Sequence, residues 1–305
     1  MDAIESRRAG AWYGLAVGDA LGAPVEFMTG RSIRTHFGRW SEMRAGGLWE
    51  KGEWTDDTAL AIATAAAYAD AGAGFQPEEA LRRMHRWLRA GPKDVGMQTR
   101  LALSLVDEGV GLADMRTEML RRKPGGAGNG SLMRAAPTGL VRAPDDPRLA
   151  AESEALSALT HPDPRCTGAC VVFNAALASL VRRGPDVGAA LGAAAAACAG
   201  QSEIVGQAVQ GVRDRLPPAH AEAPIGFVLL CLERALTTLR DAERFEDGLV
   251  EVTSMGGDTD TNAAVAGALL GARFGLEGIP ERWMEALRGK DELDEALGWM
   301  RGFRG

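Results

Sequence analysis

Segments with the apolar spacing of an α-helix dominate this 305-residue sequence, and no segment alternates apolar and polar residues over the length of a strand. Residues 189–198 are nearly all alanine, which is the best helix former and a poor strand former. Gly14, Gly18 and Gly22 recur every four residues, and this spacing allows a neighbouring helix to pack closely. We therefore predict an all-α fold, with residues 1–305 in a single compact domain.

The charge balance and the lack of long apolar runs exclude several classes of protein. With 34 basic and 41 acidic residues the net charge is −7, so we expect no nucleic-acid partner. No stretch approaches the ~18–20 uninterrupted apolar residues that cross a bilayer, so we expect no membrane span. The four cysteines are too few and scattered for a disulfide framework, and the charged N-terminal segment lacks the apolar core of a signal peptide. These features predict a reduced, cytoplasmic protein.

Two acidic motifs lie at the start of apolar, helix-forming segments. The first is WTDDT at residues 54–58, before the apolar residues 59–67, and the second is GGDTDTN at residues 256–262, before the apolar segment 263–272. One interpretation is helix capping, because Asp and Thr are favoured N-caps and acids gain from the helix dipole. The other is a metal site, since two adjacent carboxylates near an apolar helix are costly without a cation. Oxygen ligands favour Mg²⁺ or Mn²⁺ over zinc, but from the residues alone both interpretations stay open.

A glycine-rich segment and a lone glutamate are weaker signals. Residues 125–134, GGAGNGSLMR, combine a flexible loop with a predicted helix start at Ser131, where free N–H groups would bind a phosphate. Taken alone, a flexible glycine loop is the better interpretation, because the segment matches no P-loop or dinucleotide fingerprint. Glu26 follows Pro24 in a predicted short loop after the first helix, where a lone glutamate is usually solvated.

In their order along the chain, these motifs resemble the ADP-ribosylglycohydrolase family, and most closely its bacterial branch, the dinitrogenase reductase-activating glycohydrolases. The resemblance extends over nearly the whole chain, from about residue 9 to about residue 290. Residues 92–96 and 274–283 are similar to the acidic loop and the C-terminal segment of that branch. The other matching segments are GLAVGDALGAPVEF, WTDDTALA, GNGSLMRAAP, LTH and GGDTDTNAAVAGALLGA.

The resemblance implies a compact orthogonal helical domain with a binuclear cleft that holds two divalent metal ions, Mg²⁺ or Mn²⁺. The implied metal ligands are Thr55, Asp56, Asp57, Asp258, Asp260 and Thr261. The implied catalytic residues are Glu26, Asp57 and Asp94. The implied substrate-binding residues are Asn129, Gly130, Ser131, His161 and Phe227.

Several of these residues have plainer interpretations or depart from the family pattern. Without the resemblance, Asp94 is a turn acid and His161 is a residue at the end of a helix. Phe227 lies where relatives often have a tyrosine that stacks on adenine, so stacking is retained and the hydroxyl contact is lost. Met97 and Leu230 also replace polar residues that are common in relatives. These departures affect the expected substrate contacts and leave the metal ligands intact.

The implied reaction is metal-dependent hydrolysis of the N-glycosidic bond between ADP-ribose and an arginine of a modified protein, which releases ADP-ribose. Asp94 would position or protonate the departing guanidinium, and a carboxylate near the metals would act as base. The alternatives are hydrolysis of another linkage, such as serine-linked or O-acetyl-ADP-ribose, and a non-catalytic ADP-ribose-binding protein. A monomer is the default expectation.

Overall fold

The computed structural model describes residues 1–303, which form α-helices and three short 3₁₀ segments and contain no β-strand. The predicted all-α fold is confirmed. The 3₁₀ segments are Ala23–Val25, Ala66–Tyr68 and Leu276–Gly278. The α-helices are α1 (Ala3–Gly22), α2 (Gly30–Phe37), α3 (Asp56–Ala65), α4 (Pro77–Arg89), α5 (Met97–Asp107), α6 (Leu112–Arg122), α7 (Ala136–Val141), α8 (Arg148–Ala158), α9 (Pro164–Arg183), α10 (Val187–Ala197), α11 (Glu203–Arg213), α12 (Val228–Asp241), α13 (Phe245–Ser254), α14 (Thr259–Phe274), α15 (Glu281–Ala286) and α16 (Lys290–Gly302).

Helices α1 and α14 pack antiparallel with their backbones in contact. A Cβ atom on Gly14 would lie 2.3 Å from the carbonyl oxygen of Gly267, and one on Gly18 would lie 2.1 Å from another carbonyl oxygen of α14. No side chain fits in these positions, which explains the four-residue glycine spacing. The pairing brings the C-terminal end of α1 to the N-terminal end of α14, where Thr259 Oγ1 donates a 2.8 Å hydrogen bond to the carbonyl of Gly22.

The remaining helices surround this pair and share one large apolar cluster with it. Helix α9 is long and apolar enough to span a membrane by length and composition, but 89% of its apolar window is buried inside the protein. It packs against α7, α8 and α10, as a core helix does.

The helical segments whose bounds the sequence predicted lie within a few residues of the helices observed. The predicted helix over 149–159 is α8, and Pro77 begins α4 as its place before two glutamates predicts. The predicted helix start at Ser131 is wrong, because residues 131–134 form turns and α7 begins only at Ala136. Pro137 lies in the first turn of α7, where a missing N–H costs nothing.

Candidate active site

A cleft of about 770 Å³ opens where the C-terminal end of α1 meets the N-terminal ends of α3 and α14. Most residues predicted for the site line this cleft, although they come from distant parts of the chain. Thr55 and Ser131 do not line it, and their side chains are buried behind its wall. The predicted residues that do line it are Glu26, Asp56, Asp57, Asp94, Asn129, Gly130, His161, Phe227, Asp258, Asp260 and Thr261.

Three carboxylates from the two ends of the chain converge on one wall of the cleft. Glu26 follows the 3₁₀ turn after α1, whereas Asp258 and Asp260 begin α14. One carboxylate oxygen from each lies within 4.8 Å of the others. Such a group of oxygen ligands can hold a hard divalent cation.

Asp56 and Asp57, at the start of α3, supply two further carboxylates. Together with Glu26, Asp258 and Asp260 they form the acidic wall of the cleft. Thr55 is the N-cap of α3, and its Oγ1 accepts a 3.3 Å hydrogen bond from the backbone N–H of Asp57. The capping interpretation is therefore correct for Thr55, but the carboxylates of Asp56 and Asp57 take no part in capping. Asp57 Oδ2 accepts a 3.3 Å hydrogen bond from Thr55 Oγ1, and the Asp56 carboxylate is hydrogen bonded to the backbone of Gly96. Asp57 Oδ1 is buried and has no hydrogen-bond partner, and a buried carboxylate oxygen without a donor is costly unless a cation binds it.

Burial and mutual repulsion disfavour the charged forms of these acids. Burial, followed by repulsion from neighbouring carboxylates, raises the pKa of Glu26 to about 8. Burial and then the charge of Asp94 raise the pKa of Asp56 to about 7. Burial, with repulsion added, also raises the pKa of Asp57 and of Asp260 well above its usual value. A bound cation would reverse this penalty, so the orphaned oxygen and the clustered acids both fit a metal centre.

Asp19, near the end of α1, is a buried carboxylate that packs against the start of α3. It was not identified from the sequence. It accepts hydrogen bonds from the backbone N–H groups of Thr55 and Thr58, each at 3.0 Å, and from Thr58 Oγ1 at 2.6 Å. These bonds tie the start of α3 to α1. Burial raises the pKa of Asp19 to about 6. The available signal was an ionisable residue near the C-terminal end of α1, where the other residues from 9 to 22 are apolar, aromatic or glycine.

The glycine-rich loop connects the acidic wall to the opposite side of the cleft. Asn129 Nδ2 donates to Asp258 Oδ2 at 2.8 Å, and its backbone N–H donates to the carbonyl of Gly226 at 2.9 Å. Ser131 points away from the cleft, since its Oγ accepts a 2.8 Å hydrogen bond from Ser157 Oγ. Its side chain is therefore not placed to contact a ligand, in contrast to that of Asn129.

His161 lies three residues beyond the end of α8 and packs against the glycine loop. Its Nδ1 is hydrogen bonded to Thr160 Oγ1 at 2.7 Å. Burial, with the charge of Arg134, lowers the pKa of His161 to about 3, so the ring is neutral at physiological pH. A Cβ on Gly130 would lie 2.9 Å from the ring, so glycine is needed at this point of the loop.

Phe227 and Asp94 lie on other parts of the cleft lining. The Phe227 ring is 5.3 Å from the ring of His220 and 5.9 Å from the guanidinium of Arg165. Asp94 Oδ1 accepts a 2.8 Å hydrogen bond from the N–H of Val95, as a turn acid does, yet its charge also raises the pKa values of Glu26 and Asp56. Asp94 therefore lies near the acidic wall, whereas Phe227 lies beside cationic and aromatic groups.

The sequence and the fold match known proteins over nearly the whole of this chain. Residues 1–303 match the profile of the ADP-ribosylglycohydrolase family. The chain is 32% identical over 291 residues to the ADP-ribosylarginine hydrolase Tri1 of Pseudomonas putida (strain GB-1), covering 92% of this chain and 73% of the relative. It is 30% identical over 295 residues to the ADP-ribosyl-dinitrogen reductase glycohydrolase of Rhodospirillum rubrum, covering 95% and 93%. A solved structure of an ADP-ribosylglycohydrolase-related protein complex superposes with a TM-score of 0.81 at 32% identity and covers 99% of each chain.

Proposed function

Because the chain belongs to the ADP-ribosylglycohydrolase family, we propose that it hydrolyses the N-glycosidic bond between ADP-ribose and an arginine of a modified protein, in a metal-dependent reaction. The observation that carries this proposal is the single cleft in which five buried or half-buried acids and Asp94 meet a glycine loop. The name of the Pseudomonas relative, an ADP-ribosylarginine hydrolase, supports the arginine linkage, and that of the Rhodospirillum relative supports a protein as the carrier of the ADP-ribosyl group.

The two ends of the cleft differ in charge, which gives the substrate a direction. Arg165 lies 5.9 Å from the Phe227 ring, pairs with Asp163 and donates to the carbonyl of Gly125. Lys123 lies beside Gly126, so both cations line the cleft at the start of the glycine loop. The carboxylates lie beyond the other end of the loop, where Asn129 donates to Asp258. The diphosphate of ADP-ribose is anionic and belongs with the cations and the loop, with adenine against the Phe227 ring. The ribose that carries the arginine then reaches the acidic wall.

The acidic wall would hold two divalent ions, which we take to be Mg²⁺ or Mn²⁺. When bound, such ions supply Lewis-acid stabilisation of the ribose hydroxyls and of the attacking water. The residues that would hold them are Asp56, Asp57, Asp258, Asp260 and Thr261, with Glu26 beside them. The Thr55 hydroxyl, which donates to Asp57 Oδ2 at 3.3 Å from behind the wall, would reach an ion from that side. Asp19 fixes the backbone of the α3 ligands from below.

The remaining chemistry is proton transfer and leaving-group orientation by carboxylates. Water adds its hydroxyl to the anomeric carbon while the bond from that carbon to the guanidine nitrogen breaks. Glu26, with Asp57 beside it, would accept the proton of the water. Asp94 would orient the departing group and return a proton to its nitrogen, so that arginine leaves as a guanidinium and ADP-ribose is released.

The test is release of ADP-ribose from an arginine-modified protein in Mn²⁺, in Mg²⁺ and in EDTA, beside a serine-linked substrate. We expect metal-dependent release from arginine only, and loss of that release in Asp94→Asn with metal binding retained. Full activity of Asp94→Asn would remove the role assigned to this residue. Release from serine would assign the cleft to another linkage, and ADP-ribose binding without release would make the protein a binding module.

We further propose one domain, a monomer and a cytoplasmic location, with no nucleic acid as partner. The acidic net charge supports the absence of a nucleic-acid partner, and the dispersed cysteines support the location. Size-exclusion chromatography with light scattering checks the monomer.

A further inference from the structure

Phe27 has a backbone conformation and a degree of exposure that are unusual for a large aromatic residue. Its φ is 63°, in the left-handed region that favours glycine, and 65% of the residue is exposed. Its N–H donates a 2.7 Å hydrogen bond to the carbonyl of Gly257, and the N–H of Gly257 donates to the carbonyl of Met28 at 2.8 Å. The conformation is therefore imposed from both sides, and the exposed ring contributes little to the core.

The position of Phe27 in the cleft indicates what its ring can contact. Phe27 lines the cleft directly after Glu26, and Met97, which is 86% exposed, lines it three residues after Asp94. Phe27 lies at the acidic end, because its N–H is bonded to Gly257, the residue before Asp258. Met97 follows Gly96, whose backbone is hydrogen bonded to the Asp56 carboxylate, and precedes Gln98, whose side chain donates to the carbonyl of Gly126. Met97 therefore lies beside the acids, on the side that faces the glycine loop. With the diphosphate at the basic end and the ribose at the acidic wall, the group linked to the ribose extends past Glu26 and Asp94 toward these two side chains.

We infer that Phe27, with Met97, forms the subsite for the arginine side chain that leaves the ribose. Six carboxylates line this end, those of Glu26, Asp56, Asp57, Asp94, Asp258 and Asp260, and two divalent ions would offset four of their six charges. The negative charge that remains favours a cationic group such as a guanidinium, and an aromatic face attracts the same cation. The Met97 side chain offers an apolar surface to the methylene groups of the arginine. This inference rests on the proposed function, because only an arginine-linked substrate puts a guanidinium there.

The decisive variant is Phe27→Gly, because glycine removes the ring and also relieves the left-handed backbone. If the ring serves the fold, this variant loses stability. If it serves the substrate, the midpoint of thermal unfolding stays equal or rises while activity falls. Phe27→Ala removes the ring without the backbone relief, Phe27→Tyr restores an aromatic face, and Leu216→Ala is a control that truncates an exposed apolar side chain outside the cleft.

The measurements are kcat and KM for ADP-ribosylated agmatine and for an arginine-modified protein, the Kd of free ADP-ribose, and the unfolding midpoint, all with Mn²⁺ present. We expect Phe27→Gly and Phe27→Ala to lose roughly tenfold in kcat/KM, mainly through KM. We expect Phe27→Tyr and Leu216→Ala to match the wild type, and the Kd of ADP-ribose to be unchanged in all variants.

Two results would overturn the inference. One is wild-type kcat/KM in Phe27→Gly, and the other is a loss of stability together with weaker ADP-ribose binding, which would make the ring structural. A wild type that releases nothing from arginine refutes the proposed function itself. Failure of the proposed function would thus be seen in the wild-type reaction, whereas failure of the inference about Phe27 would be seen only in the variants.

Discussion

Removal of divalent metal should destabilise the protein more at alkaline than at acid pH, because the acidic wall is then fully charged. The pKa of Asp56 is raised to about 7 and that of Glu26 to about 8, and burial with carboxylate repulsion also raises the pKa values of Asp57 and Asp260 well above their usual range. In the unfolded chain these groups titrate near pH ~4. The metal-free fold thus binds protons more tightly than the unfolded chain. The contribution of these acids to the stability of the metal-free fold is therefore fully present below about pH 4 and is lost as the pH rises through about 7 and 8.

The structure sets the size of this effect. A tenfold change in an ionisation equilibrium corresponds to ~1.4 kcal/mol, and the pKa of Glu26 rises from 4.5 to about 8. Allowing for solvent screening of this half-buried group, its ionisation costs the metal-free fold on the order of 3 kcal/mol. A cation at about 100 times its Kd contributes ~2.7 kcal/mol to stability. For a chain of this length that corresponds to a rise of roughly 5 °C in the unfolding midpoint.

The assay is thermal unfolding in Mn²⁺, in Mg²⁺ and in EDTA at about pH 5.5 and about pH 8.5. We expect a metal-induced rise of roughly 5 °C at the higher pH and of about 1 °C or less at the lower pH. The control is Asp57→Asn, which removes one charge from the wall and should make the metal-free protein less sensitive to pH. An equal rise at both pH values would refute the reasoning, since metal would then not be compensating the ionised acids.

Three further variants test the packing and the support of the site. Gly14→Ala places a methyl group 2.3 Å from a carbonyl oxygen of α14 and should lower the free energy of unfolding in chemical denaturation by ~1–3 kcal/mol or more. The control Gly192→Ala, on open helix surface, should raise it by ~0.5–1 kcal/mol. Equal effects of the two variants would exclude the packing argument. Asp19→Asn puts N–H groups against the hydrogen-bond donors at the start of α3, so it should lower the free energy of unfolding by ~1–3 kcal/mol. It should also abolish the metal-induced rise in the unfolding midpoint. A retained rise would contradict the role of Asp19 in positioning the acids of α3. Gly130→Ala crowds the His161 ring and should weaken the binding of ADP-ribose, as measured by calorimetry, while the metal-induced rise in the unfolding midpoint persists. Unchanged ADP-ribose binding would show that the glycine loop does not contact the ligand.

The sequence predicted those site residues that belong to a short motif with an unusual local pattern. The carboxylates of the two acidic motifs could be found because adjacent acids before an apolar helix are unusual in themselves. Ser131 was placed wrongly, because its turn is decided by Asn129, whose carbonyl accepts hydrogen bonds from two following N–H groups. Asp19 was overlooked because its partners, at the start of α3, lie 36 or more positions away. The strained Phe27 could not be predicted, since its conformation depends on a hydrogen bond to Gly257.

The antiparallel pairing of α1 with α14 has a consequence for synthesis of the protein on the ribosome. The contact between Gly22 and Thr259 joins residues 237 positions apart. Helix α1 is synthesised first and cannot pack against α14 until α14 has also left the ribosome. At ~5–20 residues per second this wait is on the order of ten seconds or more. Throughout it, the glycine face of α1 lacks its partner and the nascent chain has no complete acidic wall. A chaperone that covers α1 during this interval should raise the yield of active protein, and a ribosome-stalled chain ending before α14 should bind no metal at this site.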